Sequence, residues 1–295
     1  MNRILYAILF LLFPFSLAAQ LPSSDVWLFT YIIQHDQYLF TGGMNVSNRA
    51  GYDNQPSFSP NGTYMLWTSQ RDSSETDIMR YDLLNHTTTR LTQTAFSEYS
   101  PTYMEGNKYI SAVVVEKDSV QRLWRYNKMS GEGKVLLPKI YGVGYHCWFD
   151  ARTVFLFQVT NPATLVLADA RSGVAKTCAS NVGRCMGIYR SVSKKMLLYT
   201  QEGDSSSLYI KAIDGKGNKV ADFTPIKAVE GSQDFAVDNN GNLLMAKGAK
   251  LFQWTIGKSD KWLEIADFSG NGMHNITRIS ISPDGKHIAF VDNLE

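Results

Sequence analysis

A fixed internal spacing constrains this chain more than any other feature. Pro56, Pro101 and His146 stand 45 residues apart each time, Arg122-Leu-Trp-Arg-Tyr126 follows Asp77-Ile-Met-Arg-Tyr81 by the same 45, and Leu136 follows Leu91 likewise. Within one unit, Pro56 to Thr92 parses into four short runs. Ser57–Ser59 is centred on Phe58, Pro60-Asn61-Gly62 is a tight turn, Thr63–Ser69 is rich in β-branched and aromatic residues, Asp77–Asp82 alternates, and Thr87–Thr92 is rich in threonine. Four short antiparallel strands cannot bury both their faces alone, so each unit needs stacked neighbours.

A 40–45-residue period with four strands per repeat is the pattern of a β-propeller blade. Five complete units are expected to start near Pro56, Pro101, His146, Ile188 and Asp234. The two ends supply a sixth. Asp25-Val-Trp-Leu-Phe29 matches Asp77-Ile-Met-Arg-Tyr81 at an offset of 52, as Leu39 matches Leu91, so residues 25–43 read as the second half of a blade, with a turn at Gln34-His35-Asp36. Ile276–Val291, around Ser282-Pro-Asp-Gly285, reads as the first half. Joining them closes the ring and removes exposed sheet edges. The expected fold is all-β, a six-bladed propeller with four antiparallel strands per blade. Phe58, Trp67, Tyr81, Trp124, Tyr126, Phe157, Tyr199, Phe235 and Phe290 are its expected core.

The wording of the repeats, Pro56-Ser-Phe-Ser-Pro-Asn-Gly62 and Ser280-Ile-Ser-Pro-Asp-Gly-Lys-His-Ile-Ala-Phe290, resembles TolB-type propeller repeats of the bacterial envelope. The resemblance spans most of the chain after residue 25 and is strongest in the first and last units. It implies an exported, non-catalytic platform that meets other envelope proteins through the propeller mouth. TolB itself carries a separate α/β domain before its propeller, for which the chain leaves no room, so only the fold and the binding mode carry over. No hydrolase domain is expected after the propeller either.

Met1–Gln20 has the layout of a secretory signal: Arg3 in a positive n-region, an apolar core over Ile4–Leu17, and small residues in Ser16-Leu-Ala-Ala-Gln20. Cleavage after Ala18 or Ala19 and a retained membrane anchor are the alternatives. No later stretch reaches the roughly 18 apolar residues of a spanning helix. The expected layout is a signal over residues 1–19 and one propeller domain over 20–295, placed in the periplasm. The net charge is +2 including Arg3, and this near-neutrality argues against a nucleic-acid surface.

Catalytic patterns are sparse. There is no G-x-S-x-G elbow, no H-E-x-x-H and no P-loop, and Ser191-x-x-Lys194 falls in a turn between two strands. The Asn/Asp-Gly turns lack the spaced carboxylates of a calcium loop. Cys178 and Cys185 could pair in an oxidising compartment or remain two buried thiols, and Cys147 is expected to pack on an innermost strand.

The segments leading into the six innermost strands carry the candidate site. Each contributes an ionisable side chain: Asp53, Glu98, His146, Arg184, Asp234 and His274, accompanied by Asn54, Tyr99, Tyr145 and Gln233. Mixed charge converging at one mouth suits a polar ligand or peptide. His146 could bond a neighbouring blade, or join Asp53 or Glu98 around a cation as in six-bladed lactonases. The expected function is therefore a non-catalytic binding platform for an envelope protein or polar ligand, with no cofactor. A metal-dependent propeller hydrolase, lactonase or lyase is the alternative.

Overall fold

The computed structural model describes residues 21–70, 75–203 and 207–294; the expected signal over 1–19 lies outside these. Six four-stranded antiparallel sheets form a ring. Their innermost strands are Asp53–Phe58, Ser97–Tyr103, Val143–Trp148, Val182–Arg190, Phe235–Val237 and Ile276–Ile281. No α-helix occurs among the described residues.

The closing blade joins the chain ends as expected. Ser24–Gln34 lies between His287–Asn293 and Gln37–Asn45, with Val26 opposite Val291 and Tyr31 opposite Phe40. The hairpin between its two outer strands turns on His35 and Asp36, both left-handed at φ 50° and 61°, the backbone that a two-residue hairpin loop requires. The Ser-Pro-Asn/Asp-Gly sequences also have a local cause. Ser59 Oγ accepts from the backbone N–H groups of Thr63 and Tyr64 at 3.1 and 2.9 Å, and Ser282 Oγ accepts from those of Lys286 and His287 at 3.2 and 2.8 Å. Gly62 and Gly285 supply the left-handed residue, each at φ 68°. Serine thus holds the turn that sends the chain from the innermost strand to the next.

Six apolar clusters lie between successive blades. One of them gathers Val26, Leu28, Phe58, Met65, Trp67, Met79, Tyr81, Ala289 and Val291, sealing the closing blade against the first complete one. The alternation of each strand sends one face into each neighbouring layer, so every blade is buried on both sides. Seven of the nine expected core aromatics are buried. Trp124 and Phe157 are half-buried. For Trp124 the reason is polar: its indole N–H donates to Glu116 Oε1 at 2.9 Å, holding one end of the ring towards the wet rim.

Strand starts differ from expectation in one instructive way. The first four innermost strands of complete blades begin at Asp53, Ser97, Val143 and Val182, ahead of Pro56, Pro101, His146 and Ile188. The register slips between Asn54 and Ser57, between Tyr99 and Thr102, between Val143 and Tyr145, between Val182 and Met186, and between Ile276 and Arg278. Five innermost strands therefore carry a bulge. Pro56 and Pro101 sit within it, where a missing N–H breaks no ladder bond.

Candidate functional site

The bulges decide which side chains reach the central channel. Counting by the 45-residue period, Asp53, Glu98 and Val143 are equivalent; counting back from the Ser-Pro-Asp/Asn-Gly turns, so is Ile276. Val143 and Ile276 are buried apolar residues, so this position faces a layer between blades rather than the channel. Asp53 and Glu98 likewise face layers between blades, each a different one. Asp53 Oδ1 accepts from the Trp67 indole at 2.8 Å, and its other oxygen is 3.1 Å from Arg49 Nε. Glu98 accepts from Thr94, from the Tyr126 hydroxyl at 3.1 Å and from Thr92 at 3.2 Å. Burial pushes its carboxyl up to about 7. Asn54 is buried too, accepting from the Gln55 N–H at 2.8 Å, and Tyr99 stands edge-on to Tyr52 at 6.4 Å.

Two residues further along, the chain turns inward. Gln55, Ser100, Tyr145 and Arg278 are the equivalents there, and all four line one central cavity of about 180 Å³ with His146, Arg184, Cys185 and Asp234. Gln55 and Ser100 hold left-handed backbone at φ 59° and 52°, outside glycine's usual preserve. The Gln55 side-chain oxygen accepts from the Ser100 N–H at 2.7 Å and from Thr68 Oγ1 at 3.0 Å, tying adjacent blades.

On the opposite wall, Asp234 bridges two arginines. Arg184 Nε and Nη2 donate to its two oxygens at 3.2 and 2.8 Å, and Arg278 Nη1 stands 3.3 Å away. Arg278 Nη2 donates to the Tyr145 hydroxyl at 2.9 Å, with the guanidinium 5.1 Å from that ring's centre. Burial works to lower Arg278, but Asp234, Tyr145 and Tyr52 together offset it and the guanidinium is held above its ordinary value. His146 accepts or donates through Nε2 to Ser111 Oγ at 2.7 Å, and burial pushes its imidazole down to about 3, so it is neutral.

Of the ten expected site residues, Tyr145, His146, Arg184 and Asp234 therefore meet in the channel. Gln233 is exposed and lines a neighbouring concavity of about 370 Å³, which Arg184 also borders. His274 is exposed beside Asp292 at 3.8 Å. Arg278 escapes a reading confined to the segments before the strands, because it lies within its strand, Ile276–Ile281. The turn offset that pairs Gly285 with Gly62 would have paired Arg278 with Gln55. The cation centre imagined from Asp53, Glu98 and His146 does not form: the first two point into different layers, and among the described residues no three His, Cys, Asp or Glu side chains converge on a point that could hold an ion. The three cysteines are free. Cys178 lies on the outermost strand Ala175–Ser180 and Cys185 on the innermost strand of the next blade, so they stand on opposite margins of their sheets.

No protein-family model and no curated protein matches the sequence. Solved structures do share the fold. A chain of the nidogen/laminin complex superposes with a TM-score of 0.65 at 10% identity, covering 87% of this chain and 97% of that one. TolB from Acinetobacter baumannii gives 0.58 at 10%, covering 92% of this chain and 64% of that one. XC5397 from Xanthomonas campestris, a gluconolactonase, gives 0.62 at 10%, covering 94% and 99%. At such identity a common architecture is what these likenesses establish, and the chain is a six-bladed β-propeller of the fold that TolB shares.

Proposed function

We propose that the protein is an exported, non-catalytic binding module that takes a polar ligand or a peptide of an envelope partner at its central channel. The observation that carries this reading is the Arg184–Asp234–Arg278–Tyr145 cluster, which brings donors and charge from four blades to the wall of one central cavity. The layout of Met1–Gln20 supports export through a signal removed after Ala18 or Ala19, and hence the periplasm. No helix among the described residues is long and apolar enough to cross a membrane. The near-neutral charge favours a protein or small polar ligand over nucleic acid.

A metal-dependent hydrolase would need a ligand set that the Asp53, Glu98 and His146 side chains do not make, since Asp53 and Glu98 face different layers between blades while His146 lines the channel. The test is site-specific photo-crosslinking in the exporting cell. A photoreactive residue at Gln233, on the channel rim, should give discrete adducts that one at Arg171, on an outer turn, does not, and Arg184→Gln should diminish them. Identical adduct patterns at both positions, or a stoichiometric metal whose chelation abolishes a hydrolytic activity, would refute the reading.

A further inference from the structure

The charges in the channel do not balance. Arg184 and Arg278 face a single carboxylate, Asp234, while His146 is neutral, so the cavity wall holds one positive charge in excess. A guanidinium has five N–H donors. Arg184 spends two on Asp234, and Arg278 is engaged through Nη1 and Nη2 only, so donors remain on both. A cation as far buried as Arg278, whose side chain is 16% exposed, is costly unless an anion meets it.

Two further groups among the residues that line the cavity lack partners. The Ser100 hydroxyl and His146 Nδ1 are both buried without a hydrogen bond, and His146 is 8% exposed. Ser100 and Gln55 are also the two left-handed, non-glycine residues of the bulges. Backbone of that kind persists where the surroundings enforce it, and it gathers at ligand sites. The cavity of about 180 Å³ is smaller than a typical drug-sized ligand pocket, which suits a small group.

From these features we infer that the central cavity is a receptor for a single carboxylate, held by Arg184 and Arg278 and completed by Ser100 and His146. A monocarboxylate neutralises the excess charge, whereas a dianionic phosphate would leave a buried negative charge in its place. The planar fork of arginine also matches a carboxylate. The carboxylate could belong to a small free acid or to the C-terminus of a peptide. This inference rests on the binding-module reading and names the chemistry of its ligand.

The test is calorimetric titration of the purified protein with propionate, propionamide, inorganic phosphate, and one short peptide with a free or an amidated C-terminus. Propionate or the free-ended peptide should bind, and the corresponding amide should not. If propionate suffices, the source is a free acid; if only the peptide binds, it is a chain end. Arg184→Gln should weaken binding by about tenfold or more, since a hydrogen bond to a charged group is lost. Asp234→Asn should tighten it, because the cavity then carries a second uncompensated positive charge, a gain that a merely structural role would not produce. If Arg184→Gln fails to fold, Asp234→Asn carries the test. Equal binding of acid and amide would overturn the carboxylate assignment and leave the binding module standing. Phosphate binding tighter than either carboxylate, or no binding by any probe, would overturn the assignment, and the crosslinking at Gln233 would judge the module separately.

Discussion

Replacing Glu98 by glutamine should change how stability depends on pH. The Glu98 carboxyl is fully buried between the first two complete blades, and burial raises it from its ordinary 4.5 to about 7. Between those values the folded protein holds a proton that the unfolded chain has released. Stability from this group is therefore intact below about 4.5 and is lost as pH rises to 7. The shift of about 2.5 units, at 1.36 kcal/mol each, corresponds to about 3 kcal/mol. His146 acts in the opposite sense. The unfolded imidazole protonates below about 6.5 while the folded one stays neutral down to about 3, so its contribution is lost as pH falls. The two slopes overlap, and the profile of the parent protein alone decides nothing. The difference between parent and Glu98→Gln isolates the carboxylate. Urea unfolding at a series of pH values should show the variant gaining about 3 kcal/mol on the parent between pH 4.5 and 7. A difference that stays constant across that window would refute the argument, because it would mean that Glu98 titrates alike in both states.

Trp67→Ala should cost about 3–5 kcal/mol in the same unfolding assay, since the ring is fully buried and its N–H satisfies Asp53; a loss of a few tenths would contradict that placement. Deleting residues 1–43 should abolish cooperative melting, because it strips Ser24–Gln34 from His287–Asn293 and opens a sheet edge; a soluble product melting at the parent temperature would refute ring closure. In the native protein a thiol reagent should modify Cys178 before Cys147 or Cys185, and mass analysis should find no Cys178–Cys185 disulfide. Burial pushes the Cys147 thiol up to about 12 and also raises Cys185, leaving little thiolate on either, so early modification of either would contradict those raised thiols.

The sequence by itself determined the architecture of this protein. A repeat of 45 residues carries its own strands and turns, and each turn is written in adjacent residues, as in Ser59-Pro-Asn-Gly62 with its serine cap. Closure of the ring was legible for the same reason, since Asp25 and Leu39 at one end match Asp77 and Leu91 at one offset and the Ser282-Pro-Asp-Gly285 turn at the other end repeats Ser59-Pro-Asn-Gly62. Which side chains face the channel was decided by tertiary structure. A strand reverses its faces with every residue, so one bulge moves a side chain from channel to layer. Asp53 and Glu98, polar in sequence, were turned between blades to serve Trp67 and Tyr126, while Arg278, on a strand passed over, was turned inward. The meeting of Arg184, Asp234, Arg278 and Tyr145 joins residues up to 133 positions apart in the chain, from four separate blades. No local pattern encodes that contact, because it exists only once the ring has closed and brought the innermost strands to a common axis.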